Sequence, residues 1–132
     1  MKTFKKGILA LSLTLGIIAS VGGAAFAASI INGNVGGKFC TGNCFCYRYS
    51  ARARTDLLGA TGYVTVKSVY TYVNPRTLAT GTKTDFRGGS NRSTAFTDLY
   101  APGICQTVSI SNTHEVRYGG NTWIVTTNHA YN

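Results

Sequence analysis

Acidic side chains are scarce in this 132-residue chain. Asp56, Asp85, Asp98 and Glu115 stand against thirteen lysines and arginines. Glycoside hydrolysis commonly uses two carboxyl groups facing each other across a cleft. Nothing in the spacing of these four suggests such a pair, and each reads as a surface charge or a partner for an arginine. Histidine is scarcer still, with only His114 and His129. His114-Glu115 begins like a zinc-peptidase motif, but Tyr118 stands where the second histidine would be needed. The midpoint between the two histidines falls just past Gly119-Gly120. They would come near one another across a terminal hairpin, although two ordinary strand residues are the expectation. The chain has no Gly-x-Ser-x-Gly elbow. No Gly-Lys-Ser/Thr follows its glycine pairs, which excludes a phosphate loop. These absences argue against an enzyme and against a cofactor.

Charge is also missing between Lys6 and Lys38. The basic start Met1–Lys6, the apolar run from Ile8 to about Val21 and the small-x-small ending Ala25-Phe26-Ala27 form a secretory leader. Cleavage is expected after Ala27, leaving residues 28–132 as one secreted, extracellular domain. The rival is an uncut anchor, since Gly7 to Ile31 is long enough to span a bilayer. No cysteine follows the apolar run directly, so no lipid-modified terminus is expected.

Helical periodicity is lacking as well. Prolines are few, Pro75 and Pro102, and both punctuate. What remains is alternation of period two, the pattern of strands. Tyr63–Val73 is the clearest, with Val64, Val66, Ser68 and Tyr70 on one face and Thr65, Lys67 and Val69 on the other. Cys44–Arg54 also alternates, read as one strand. Phe45, Tyr47, Tyr49, Ala51 and Ala53 share one face, and Cys44, Cys46, Arg48, Arg52 and Arg54 share the other. Thr77–Phe86, Arg92–Tyr100, Ile104–Ser111, His114–Tyr118 and Thr122–Tyr131 follow, separated by glycine, proline and asparagine turns. Residues 28–38, rich in glycine and asparagine, read as a flexible entry arm. The expectation is an all-β, antiparallel two-sheet sandwich of six or seven strands, with a small barrel as the alternative.

All four cysteines lie after the leader: Cys40, Cys44, Cys46 and Cys105. An even count in an exported chain predicts two disulfides. The candidate sets are Cys40–Cys44 with Cys46–Cys105, or Cys40–Cys46 with Cys44–Cys105. A zinc site is disfavoured by the Cys-x3-Cys-x-Cys spacing, and no metal is expected.

Residues 28–132 carry ten Lys and Arg against four Asp and Glu, a formal charge of +6. Such an excess attracts anionic surfaces. With eight tyrosines and one tryptophan in the chain, the charge points to a non-enzymatic binding module. Its expected partner is an anionic cell-wall polymer, a glycan-rich surface or a membrane surface, reached through Arg48, Arg52 and Arg54. Nucleic acid is disfavoured because no recognised module accompanies the charge. A secreted antibacterial or membrane-active protein is the alternative, and a structural envelope protein a further one.

Overall fold

The computed structural model describes Ser29–Asn132, so the expected leader over residues 1–27 lies outside the described residues. Eight strands follow in order: β1 (Ile30–Val35), β2 (Lys38–Cys46), β3 (Ser50–Leu57), β4 (Gly62–Val73), β5 (Thr80–Arg92), β6 (Thr94–Tyr100), β7 (Gln106–Tyr118) and β8 (Asn121–Ala130). They form two four-stranded antiparallel sheets, ordered β1-β2-β3-β6 and β5-β4-β7-β8. The all-β, two-sheet expectation therefore holds, with eight strands.

Four differences from the sequence reading have physical causes. The entry arm is a strand: β1 pairs with β2 from Ile30↔Asn43 to Val35↔Lys38. Trp123 of β8 packs so closely on Gly33 that an added Cβ would lie 2.0 Å from its Nε1. Glycine here makes room for an indole. Second, Cys44–Arg54 is a hairpin, turning at Tyr47–Tyr49 with Tyr47 N donating to Ser50 O at 2.7 Å. The turn resets the alternation, so Cys44 and Cys46 face inward with Ala53 and Ala51. Phe45 faces outward beside Arg52. Third, β5 runs through Gly88 and Gly89, which pair with Thr65 and Val64. Fourth, β7 is one strand through Asn112 and Thr113.

The disulfide expectation also changes. Among the described residues no disulfide forms: Cys40, Cys44 and Cys46 are buried thiols and Cys105 a half-buried one. Both expected sets fail at their short bridge. β2 runs unbroken through Cys40, Cys44 and Cys46, each paired with β3. At about 3.3 Å per residue, Cys40 lies about 13 Å from Cys44 and about 20 Å from Cys46. A disulfide needs Cα atoms within about 7 Å.

Between the sheets lie Leu57, Val64, Val66, Tyr70, Ile110 and Val116 with the inward cysteines and alanines. Each large aliphatic side chain contributes about 1.5–3 kcal/mol by burial. Polar contacts cross the same interior. Ser68 Oγ meets Thr97 Oγ1 at 2.6 Å, and Thr107 Oγ1 donates to Ser50 O at 3.2 Å. Cys46 N–H donates to His129 Nδ1 at 3.1 Å.

Every connection is antiparallel, so the turns collect at two ends. One end holds the β2–β3, β4–β5 and β6–β7 connections, together with Ser29 and the C-terminal residues. We refer to it as the loop end.

Candidate binding site at the loop end of the sandwich

The two histidines do not meet. His114 pairs with Val125 and His129 with Ile110, four residues apart along the hairpin. His114 is fully buried. Its Nδ1 lies 2.7 Å from Thr55 Oγ1 and its Nε2 2.7 Å from Thr127 Oγ1. The neighbours fix the proton positions. Thr55 Oγ1 donates its hydrogen to Thr65 O at 2.9 Å, so it accepts from an Nδ1–H. Nε2 is then the acceptor, with Thr127 donating to it. Thr127 in turn accepts from Asn112 Nδ2 at 3.2 Å. Burial pushes the His114 pKa down to about 4, which keeps the ring neutral. A Cβ on Gly42 would lie 2.6 Å from the ring, so only glycine admits it. This hydrogen-bonded chain is closed to solvent and joins the two sheets. It is a structural device with no access for a substrate.

The cysteines beside it are equally quiet. Burial pushes the Cys44 thiol up to about 11, although the polar side chains of Thr127 and Asn112 beside it oppose the shift. Burial, and then the neighbouring Cys44, push Cys46 up to about 12. Thiolate chemistry needs the reverse shift. Among the described residues no three His, Cys, Asp or Glu side chains come together as a metal site would require.

The charges have a simpler order. Among the described residues each side-chain carboxylate is tied to one arginine: Asp98 to Arg52 at 3.0 Å, Asp56 to Arg54 at 2.9 Å, Asp85 to Arg87 at 2.9 Å, and Glu115 to Arg117. Lys38, Arg48, Lys67, Arg76, Lys83 and Arg92 make no ion pair there. The six carry the whole excess charge of residues 28–132. Of the three arginines singled out by sequence, Arg52 and Arg54 project from the outer face of β3, and their ion pairs are exposed. Asp98 raises the Arg52 pKa further, first through its hydrogen bonds and then through its charge. Arg48 is not on that face. It sits on the β2–β3 turn, with its guanidinium 5.3 Å from the Tyr49 ring centre.

Arg48 has neighbours that the sequence did not bring together. Tyr49, Pro75, Arg76, Gly103, Ile104 and Gln106 line an open crevice of about 500 Å³ at the loop end. A second crevice, of about 410 Å³, lies on the other side of the turn, lined by Phe45, Tyr47, Arg48, His129 and Tyr131 among others. Phe45 stacks on His129 there, with ring centres 4.6 Å apart. Lys83 reaches across from β5 to donate to Tyr100 O at 2.7 Å, which holds its ammonium group near the end of β6. Tyr47, Tyr49, Tyr100, Leu78 and Ile104 are all exposed. The loops Tyr47–Tyr49, Asn74–Ala79 and Ala101–Cys105 contain no acidic residue. Arg76 and Leu78 went unmarked in the sequence, because three separate turns contribute to this end, and Ile104, which alternation puts inward on an Ile104–Ser111 strand, is exposed on the loop before Gln106. The Asn74-Pro75-Arg76 turn was the available signal.

Compared with known proteins, the chain matches no family model, no curated protein and no solved structure.

Proposed function

We propose that this protein is an exported, non-enzymatic binding module that meets an anionic or glycan-rich cell surface with the loop end of its sandwich. One observation carries the reading. All four side-chain carboxylates are tied to arginines, while Arg48, Arg76 and Lys83 stand without ion pairs beside exposed tyrosines. Cations near rings suit a ligand that offers both negative charge and a surface for stacking. Arg52 and Arg54 lie on the adjoining outer face. Exposed ion pairs contribute only about 0–1 kcal/mol, so a ligand anion exchanges for Asp98 or Asp56 at little cost. Both arginines extend the surface as secondary contacts.

Export follows from the leader. In an oxidising compartment the bridge compatible with this topology is the long one, from Cys105 to Cys44 or Cys46. Thr107 N–H donates to Arg48 O at 2.8 Å, which brings the Cys105 loop beside the end of β2. Peptide mapping of exported material tests this: a Cys105 peptide found only with a free thiol removes the bridge.

The binding test is retention on an immobilised soluble polyanion, for which polyphosphate serves. The parent is retained and released by salt. The Arg48→Gln, Arg76→Gln double variant elutes earlier. Retention that ignores both salt and the two substitutions would defeat the reading.

A further inference from the structure

We infer that the anionic surface met by the loop end is a lipid bilayer, with Leu78 and Ile104 entering the acyl boundary and Arg48, Arg76 and Lys83 remaining at the headgroups. This rests on the binding reading above and adds the nature of the partner.

Leu78 is the decisive residue. It has φ 65°, one of two non-glycine residues with positive φ among those described. It is also 74 % exposed. The left-handed region is costly for a leucine. Here the cost is not offset by burial, because the side chain stands in water. The loop holds this arrangement firmly. Asn74 Oδ1 accepts from Arg76 N at 2.8 Å and from Thr77 N at 3.3 Å, and Leu78 N donates to Asn74 O at 2.7 Å. A strained loop that presents leucine to solvent gains nothing within the chain. It gains when the tip enters an apolar phase.

Ile104 repeats the feature on the β6–β7 loop, 48 % exposed at the rim of the crevice that also holds Tyr49 and Arg76. Tyr47 and Tyr49 flank these tips, and tyrosine favours the membrane–water interface. The bases complete the match. Basic groups close to an anionic leaflet each give about a fivefold gain in binding, and the three loops contain no acidic side chain. A wall polymer or a glycan would use the bases and the rings, but it offers no use for an exposed leucine and isoleucine. No helix among the described residues is long and apolar enough to cross a membrane, so the contact inferred is peripheral.

The test is cosedimentation of the exported chain, residues 28–132, with sucrose-loaded vesicles of phosphatidylcholine alone and of a phosphatidylcholine–phosphatidylglycerol mixture, with polyphosphate retention measured in parallel. The parent is expected to sediment with the mixed vesicles and not with the neutral ones. Leu78→Asn with Ile104→Asn is expected to lower vesicle partitioning about tenfold or more and to leave polyphosphate retention unchanged. Asparagine tolerates positive φ, so this variant keeps the loop. Polyphosphate retention without vesicle binding overturns the bilayer and spares the binding reading. Equal vesicle binding by parent and double variant overturns insertion. Binding to neither probe overturns both.

Discussion

The interior around His114 and the loop end treat polar groups in opposite ways. Around His114 the hydrogen bonds run in one line from Asn112 Nδ2 through Thr127, the imidazole and Thr55 to Thr65 O, with Asn112 Oδ1 left without a partner, and no charge is present. At the loop end Arg48, Arg76 and Lys83 make no ion pair among the described residues and Leu78 stands exposed. The contrast separates the tasks of the chain. A region that must hold two sheets together directs its hydrogen bonds from one sheet to the other. A region that must meet something else leaves its capacity unused. Substitutions in the first should cost stability and leave binding to the folded fraction; substitutions in the second should do the reverse.

The largest effects belong to the interior. Gly42→Ala places a methyl group against an imidazole held at both nitrogens. Overpacking of this kind costs about 3 kcal/mol, read as a lower urea midpoint with an unchanged slope. A normal midpoint would show that the imidazole is free to move. Acid should reveal the same site. Folded His114 takes up a proton only near pH 4, whereas an unfolded histidine does so near 6.5. Between those values the unfolded chain holds the extra proton, so acid favours unfolding. Stability should be highest above about pH 7 and fall by roughly 3 kcal/mol on the way to pH 4. His114→Gln should flatten that profile between pH 6.5 and 4.5, where urea midpoints report it.

Smaller effects belong to the loop end. Arg48→Gln with Arg76→Gln should weaken binding to anionic vesicles by about 2 kcal/mol, or roughly thirtyfold, while the urea midpoint stays within about 0.5 kcal/mol. Lys38→Gln with Arg92→Gln removes the same charge at the opposite end and should leave binding close to that of the parent. Equal losses from the two pairs would reduce the loop end to a share of net charge. The smallest effect is at Leu78. Glycine relieves the positive φ there but loses more entropy on folding, so Leu78→Gly should raise stability by about 0.5 kcal/mol while vesicle binding falls. Thermal unfolding beside cosedimentation shows whether the two move apart.

How much of this was legible depended on whether alternation ran unbroken. Tyr63–Val73 has no interior glycine or proline, and β4 follows it with the expected inward set Val64, Val66, Ser68 and Tyr70. The Tyr47–Tyr49 turn was missed because Tyr-Arg-Tyr carries no turn residue. Without the turn, alternation groups Phe45 with Ala51 and Ala53 and the cysteines with Arg52 and Arg54, whereas the cysteines lie inward with the alanines. Gly88-Gly89 was misread the other way, since glycines with positive φ sit inside β5. The site was legible in part. Arg48 was marked, and the net charge gave the reason. Arg76, Leu78 and Ile104 join it only through the up-and-down order of eight strands, which places three distant turns at one end. No local pattern encodes that meeting. The strain at Leu78 is visible only in the backbone.

The most direct test of the loop-end assignment is a residue-resolved amide chemical-shift titration of the folded chain with polyphosphate, which reads the contact surface without any substitution. Shifts concentrated in Tyr47–Tyr49, Asn74–Ala79 and Ala101–Cys105, and lost on adding salt, are the predicted result. Shifts concentrated at the opposite end, in Gly36–Gly37, Leu58–Thr61 and Gly119–Gly120, or spread evenly over all ten bases, would contradict the account.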